Sequence, residues 1–186
     1  LFFPMTGITS FETVRTEIEI LDLFKSQFPD AIKLMPTLVE DFQRNPTGEL
    51  ASVYCKPWHF KDKALLIGDA AHAVVPFFGQ GMNASFQDCS TLAKLMDRNE
   101  NDWEIIFNAF SSEQVENGHA IADMAIENYQ EMRDQVNDEE YKKRRKVELK
   151  LERIFPGQFI PRYSMVSFHQ IPYSEVYKRG ERQFKI

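Results

Sequence analysis

The stretch GDAAHAVVPFFGQGMNASFQD, residues 68–88, constrains this chain more than any other part of it. Upstream, ALLIG (64–68) is a short continuous apolar run of the kind that forms a buried strand, and it ends at Gly68. Beyond Gly81 the apolar residues switch to a period of about 3.6. Met82, Phe86, Cys89, Ala93 and Met96 then share one face, so a helix is expected to start near Met82. The segment therefore predicts a strand, a turn at Gly68–Asp69, a loop stiffened by Pro76, and a helix.

Two ligands suit such a segment. Gly79, Gly81 and Ala84 have the spacing G-x-G-x-x-A of a dinucleotide phosphate loop. That fingerprint needs a strand running straight into the first glycine and an acid about 20 positions later for the ribose. Asp97 and Glu100 lie at a suitable distance, but the strand ends at Gly68, and Pro76, Phe77 and Phe78 stand where it should be. A dehydrogenase module would require a strand ending at Phe78. The alternative is a flat ligand. Gly68 lets another group approach the backbone, and Asp69 at the carboxyl edge of a strand can accept hydrogen bonds from a polyol or ribose. Gly79 and Gly81 keep the loop backbone open, and the helix start aims free N–H groups and a positive dipole end at a carbonyl or a delocalised anion.

Composition narrows the classes further. With 186 residues, 43% hydrophobic and 13% aromatic, the chain can build a packed core. Its 22 basic and 28 acidic residues give a net charge of −6, against general nucleic-acid binding, which rests on neutralising phosphates. Cys55 and Cys89 are too few for a disulfide framework and are expected to be reduced, structural thiols. His72 has no histidine or cysteine at ligand spacing, and His59, His119 and His169 are equally isolated, so no metal site is expected. Ser85 and Ser90 lack a nucleophile setting. No run approaches the roughly 20 apolar residues of a membrane span. The start, LFFPMTGITS, lacks the basic residues of a signal peptide and begins without Met, as a piece of a longer protein would.

Along the chain, LFFP reads as a short strand closed by Pro4. Thr16 and Glu19 form a capping-box pattern before Ile20, Leu23, Phe24 and Phe28, predicting a helix over 17–28. A second helix is expected over 31–41. LASVYCKPWHF has strand character and KDK turns into ALLIG. DRNENDW is the best internal boundary, after which the pattern is helical to Ile154, until FPGQFIPRYSM breaks it. KKRRKVELKLER (142–153) concentrates basic charge, with Val147, Leu151 and Ile154 as an apolar stripe; it reads as a helix with a solvated basic face, or else as a membrane- or partner-binding surface.

G-D-A-A-H followed by P-F-F-G-Q-G-M-N resembles the second FAD-contacting motif of the single-component, FAD-dependent aromatic hydroxylases, and among them the kynurenine branch. The likeness continues through FPDAI (28–32), His59-Phe60-Lys61, ENYQEMR (127–133) and FIPRYSMVSF (159–168), and is dense over 65–88. It implies an α+β fold, the carboxyl-terminal part of the p-hydroxybenzoate hydroxylase-like architecture: a few strands and a mostly helical end. Residues 1–60 would belong to the substrate-binding sheet and its helices, 61–98 to the returning segment of the FAD domain, and 99–186 to a helical region.

The resemblance also implies cofactor contacts at Gly68, Asp69 (ribityl chain), Pro76, Gly79, Gly81, Met82 and Asn83, the last two offering backbone groups to the isoalloxazine pyrimidine edge. Phe77, Phe78, Gln80, Asn128, Met132 and Tyr163 would face the substrate. Read from the residues alone, the two phenylalanines are equally core aromatics, and Tyr163 is equally an amphipathic rim residue. Asn128 shares a helical face with Ile121, Met124 and Met132, so its amide needs partners, which a purely structural amide would also find.

The implied reaction uses FAD, NADPH as reductant and O2 to hydroxylate L-kynurenine at ring carbon 3, with no side chain as acid or base. Nothing before Gly68 supplies the N-terminal FAD fingerprint or the carboxylate-clamping arginine and tyrosine of the family, so the chain alone is expected not to turn over. Location would be cytoplasmic in a bacterium and the mitochondrial outer membrane in a eukaryote. Hydroxylation of another aromatic or a quinone, and a non-catalytic helical interaction module, remain as alternatives.

Overall fold

A computed structural model describes residues 3–100, 102–136 and 138–184. The chain divides into two compact units, one ending at Glu49 and the other beginning at Leu50.

In the first unit, helix α1 (Glu17–Gln27) starts where the sequence predicts. Thr16 accepts from the Glu19 amide and the Glu19 carboxylate accepts from the Thr16 amide, the reciprocal capping box. Those backbone hydrogen bonds hold the Glu19 carboxyl below its ordinary range. Ile20 and Phe24 are buried with Val14 and with Leu38 of α2 (Leu38–Arg44). The single helix expected over 31–41 is instead a 3₁₀ turn, Ile32–Leu34, followed by α2. Pro36 is the reason, since its ring and missing N–H cannot sit inside a helix. The strand expected at the start falls partly outside the described residues. Phe3 and Pro4 form no ladder, and the Pro4 carbonyl accepts from Phe11 N–H at 2.9 Å.

The second unit is mostly helical, with one two-stranded antiparallel ribbon: β1 (His59–Phe60) and β2 (Ala64–Leu65), paired His59 to Leu65 and Phe60 to Ala64. The KDK turn joins them as expected. ALLIG, expected as a buried strand, pairs only at Ala64–Leu65, and Ala64 and Leu66 are exposed. With one neighbouring strand among the described residues, one edge stays unpaired, while Leu65 and Ile67 pack against the Trp58 cluster. LASVYC forms no strand either.

Helix α3 (Asp69–His72) follows, then a 3₁₀ turn at Pro76–Phe78, α4 (Gly81–Arg98) and α5 (Trp103–Gln130). Asp102 caps α5 through the Ile105 amide. A π-helical turn (Glu131–Gln135) leads toward α6 (Glu139–Ile154), and α7 (Arg162–Phe168) and α8 (Tyr173–Gln183) complete the unit. The interruption after Ile154 is where the sequence places it.

α5 is the spine, with α4 and α8 packed along it. Ala120, Ile121 and Met124 meet Ala84, Met165, Val166, Tyr173 and Val176 in one apolar cluster. Trp58, Ala71, Leu95, Ile106, Phe110 and Val115 form another. Trp58 is fully buried, its indole N–H donates to the Cys55 carbonyl at 3.0 Å, and its backbone N–H donates to Ser111 Oγ at 3.0 Å. Gly118 of α5 allows this approach, because a Cβ there would lie 2.6 Å from Trp58 Cη2.

Two faces differ from expectation. The Met82, Phe86, Cys89 and Ala93 stripe of α4 is exposed, Met82 by 69% and Phe86 by 63%; the helix buries Ala84, Asp88 and Leu95 instead. In α6, Val147 and Ile154 are exposed while Tyr141, Arg145 and Glu148 are half-buried. Periodicity gives the faces, but the partner across the interface decides which one turns inward. Cys89 is thus an exposed thiol, and Cys55 is half-buried with its Sγ 3.1 Å from the Ala71 carbonyl.

Candidate functional site

Gly68 makes the turn into α3 at φ +60, ψ −142, a region that a residue with a Cβ rarely enters. The space is closed as well, since a Cβ would stand 3.1 Å from Ser85 Oγ. Ser85 in turn donates to the Gly81 carbonyl at 3.0 Å, within the first turns of α4. The Gly68 turn is therefore pressed against the beginning of α4. Asp69, the first residue of α3, is exposed.

The buried side of the turn is held by Asp88. Its Oδ2 accepts from the Gly68 amide at 3.0 Å and lies 2.6 Å from His72 Nε2. His72 is 1% and Asp88 2% exposed, and the imidazole packs against Trp58 in a tilted arrangement with ring centroids 5.1 Å apart. His72, isolated in the sequence, is thus a carboxylate partner.

Between the turn and α4, Pro76, Phe77 and Phe78 form the 3₁₀ turn, closed by Gly79 at φ +65 in the left-handed region. No strand ends at Phe78, which excludes the dinucleotide-loop geometry. Nothing lies within 4 Å of where a Cβ of Gly79 would be, and α4 opens without a side-chain cap; its first helical bond is from the Ala84 amide to the Gln80 carbonyl. The first-turn amides of Gly81, Met82 and Asn83 thus have no intrahelical acceptor, and Met82 and Asn83 are exposed. A bare backbone edge with amide donors and a positive dipole end fits a flat, acceptor-bearing ring such as the flavin of FAD, and the nearby Asp69 carboxylate supplies the complementary acceptor for hydroxyls.

On the other side of the 3₁₀ turn lies a cavity of about 370 Å3. Five of the six residues predicted to face substrate line it: Phe77, Phe78, Asn128, Met132 and Tyr163. Phe78 stacks against Tyr163 at 5.8 Å and 24°, and Phe77 lies 4.5 Å from the Tyr129 ring. Asn128 donates to the Phe77 carbonyl at 2.8 Å, tying α5 to the loop. Gln80 is not part of this lining. It is buried, its Oε1 accepts from Asn83 Nδ2 at 2.9 Å and Tyr173 Oη at 3.2 Å, and with Asn83 it borders a separate open cleft of about 770 Å3 beside α4.

Charged residues complete the first cavity: Glu131, Arg144, Arg145, Glu148 and Arg162. Arg162 is nine-tenths buried, paired with Glu127, and stacked on Phe184 at 4.7 Å. Glu127 also accepts from Tyr177 at 3.2 Å, and burial together with that carboxylate pushes the Tyr177 phenol up. Arg144 reaches Glu131 at 3.7 Å and the Phe184 ring at 4.7 Å. None of these was singled out from the sequence. Arg144 and Arg145 lay inside the basic run read as a solvated face, and the only available sign was that Glu148 sits four and three residues beyond them, at ion-pair spacing.

The FAD binding domain family matches residues 15–103. The kynurenine 3-monooxygenase of Myxococcus xanthus is 47% identical over 180 residues, covering 97% of this chain and 39% of that protein. That of Cytophaga hutchinsonii is 44% identical, covering 100% of the chain and 41% of the relative. That of Legionella pneumophila is 39% identical, covering 98% and 41%. The chain spans about two fifths of the length of these curated relatives. Over nearly its full length the chain is thus related to proteins named kynurenine 3-monooxygenase, and residues 15–103 carry the match to the FAD binding domain family.

Proposed function

We propose that this chain is the carboxyl-terminal part of an FAD-dependent monooxygenase that converts L-kynurenine to 3-hydroxykynurenine with NADPH and O2. The observation that carries the reading is the position of Phe77 and Phe78. They belong to the loop that opens α4, and they also wall the cavity shared by Asn128, Met132 and Tyr163. One loop thus serves a cofactor edge on one side and an aromatic-lined pocket on the other.

In this reading Asp69 accepts hydrogen bonds from the ribityl hydroxyls. The Met82 and Asn83 amides face the pyrimidine edge, with Gly79, Gly81 and Pro76 keeping the loop low and stiff. The α4 dipole stabilises negative charge on the ring. Bound FAD, reduced by NADPH, supplies the oxygen-transfer chemistry with O2. The protein groups orient and shield: Phe77, Phe78 and Tyr163 hold the aromatic ring and exclude water, and Asn128, whose NH2 is committed to Phe77, has a carbonyl oxygen to offer an ammonium group. Arg144 and Arg145 lie in the lining beside Glu131 and Glu148, and Arg162 is paired with Glu127. No side chain has to act as acid or base. The remaining three fifths of a full-length relative would supply the ADP half of the FAD site, so the isolated chain is expected not to turn over.

The test is FAD titration of the intact protein, followed by NADPH oxidation against a panel of L-kynurenine, other aromatics and quinones. Asp69→Ala should weaken FAD by roughly 10–100-fold, the worth of a charge-assisted hydrogen bond. L-kynurenine should stimulate NADPH oxidation most and yield the 3-hydroxy product. Stimulation only by another aromatic or a quinone would replace the substrate, and a protein that binds no FAD would remove the reading altogether.

A further inference from the structure

We infer that Asp88, buried in α4, is a positioning residue for the Asp69 turn. This rests on the reading of Asp69 as an FAD contact. α3 is only four residues long, and a helix of one turn has no stability of its own. A single carboxylate oxygen grips it at both ends, accepting from the Gly68 amide before its first residue and contacting the His72 ring at its last. His72 Nε2 pairs with Asp88 Oδ2 at 2.6 Å, while Nδ1 is buried with no partner among the described residues. The ring is therefore held by Asp88 on one edge and by Trp58 across its face.

Removing one partner of a buried, hydrogen-bonded pair is strongly destabilising, so Asp88 also supports the fold. What Asp88 does uniquely is fix Gly68 in its left-handed conformation against Ser85, and so set the direction from which exposed Asp69 leaves the turn. Its action on the cofactor is then indirect and passes through Asp69.

That route predicts non-additivity in a double-mutant cycle on the intact flavoprotein, read as the FAD dissociation constant. Asp69→Ala should weaken FAD roughly 10–100-fold and Asp88→Leu about 10-fold or more, while adding Asp88→Leu to Asp69→Ala should cost less than about 3-fold. Asp88→Asn, which keeps an acceptor oxygen without the charge, should cost about fivefold alone and show the same non-additivity. It decides the matter if the leucine variant loses its helical circular dichroism. Equal losses from the Asp88 variant in both backgrounds, or wild-type FAD affinity in folded Asp88→Leu, would overturn the inference while leaving the function intact. Wild-type affinity in Asp69→Ala would instead overturn the assignment of Asp69 on which it stands.

Discussion

Gly68 and Gly118 mark two positions where a single hydrogen in place of a side chain decides the geometry. At Gly68 the backbone conformation, φ +60, disfavours a Cβ, and the space is tight, with Ser85 Oγ at 3.1 Å. Gly68→Ala should therefore lower stability by about 1–3 kcal/mol and loosen FAD, with the two effects appearing together in thermal melts and in flavin titration. At Gly118 the backbone is ordinary helix and only space is at stake. A Cβ 2.6 Å from Trp58 and 3.1 Å from the His72 Cβ cannot be absorbed by the far end of a flexible chain. Gly118→Ala is expected to cost about 1–3 kcal/mol in denaturant unfolding despite the better helix propensity of alanine. A stability equal to or above that of the parent would show that Trp58 is free to move.

At the scale of elements, the notable joint is between α5, α7 and α8. Glu127 precedes Asn128, Arg162 precedes Tyr163, and the ion pair between Glu127 and Arg162 sets these two cavity residues in register. Gly180 of α8 leaves the room, since a Cβ there would lie 2.5 Å from Arg162 Cδ. Arg162→Lys retains charge but loses the planar contact with Phe184. We expect it to raise the KM for the aromatic substrate by about tenfold, corresponding to about 1.4 kcal/mol, with FAD affinity unchanged. An unaltered KM would mean that the pair only braces the helices.

How much of this the sequence discloses depends on how local the cause is. The capping box of α1, the break at Ile154 and the start of α4 follow from neighbours in the chain and are legible there. The Gly68 turn follows from the end of the apolar run at a glycine, whereas the five cavity residues were reached through the family resemblance. What stayed hidden is long-range. Asp88 looks like one more helix acid until Gly68 and His72 are folded onto it, and the pairing of Arg144, which stays exposed as the basic run predicts, with Glu131 appears only once α6 is placed. The exposed α4 stripe has the same lesson: a period of 3.6 names a face without naming its partner.

For the molecule as a whole, net charge is −6 and tyrosines are repeatedly placed beside acids. Burial pushes the phenols of Tyr54, Tyr141, Tyr173 and Tyr177 upward, and Asp123, Glu131, Asp88 and Glu127 respectively push them further. A raised folded-state value means that the folded chain holds the proton more tightly. Stability from these groups is thus fully present below about pH 10 and is lost as pH rises through their folded values. Melting temperature should be insensitive to these groups near neutrality and fall above about pH 10, together with the appearance of phenolate absorbance. Phenolate forming well before any loss of structure would contradict the burial. Among the described residues, no helix is long and apolar enough to cross a membrane.

The central claim is that the turn at Gly68–Asp69 and the opening of α4 meet on one flavin. A crystal structure of the intact protein with FAD tests it most directly. The Asp69 carboxylate should lie within about 3 Å of a ribityl hydroxyl, and the Met82 or Asn83 amide within about 3.2 Å of an acceptor on the pyrimidine edge. A flavin bound elsewhere, with Asp69 and the first turn of α4 both left facing solvent, would contradict the account.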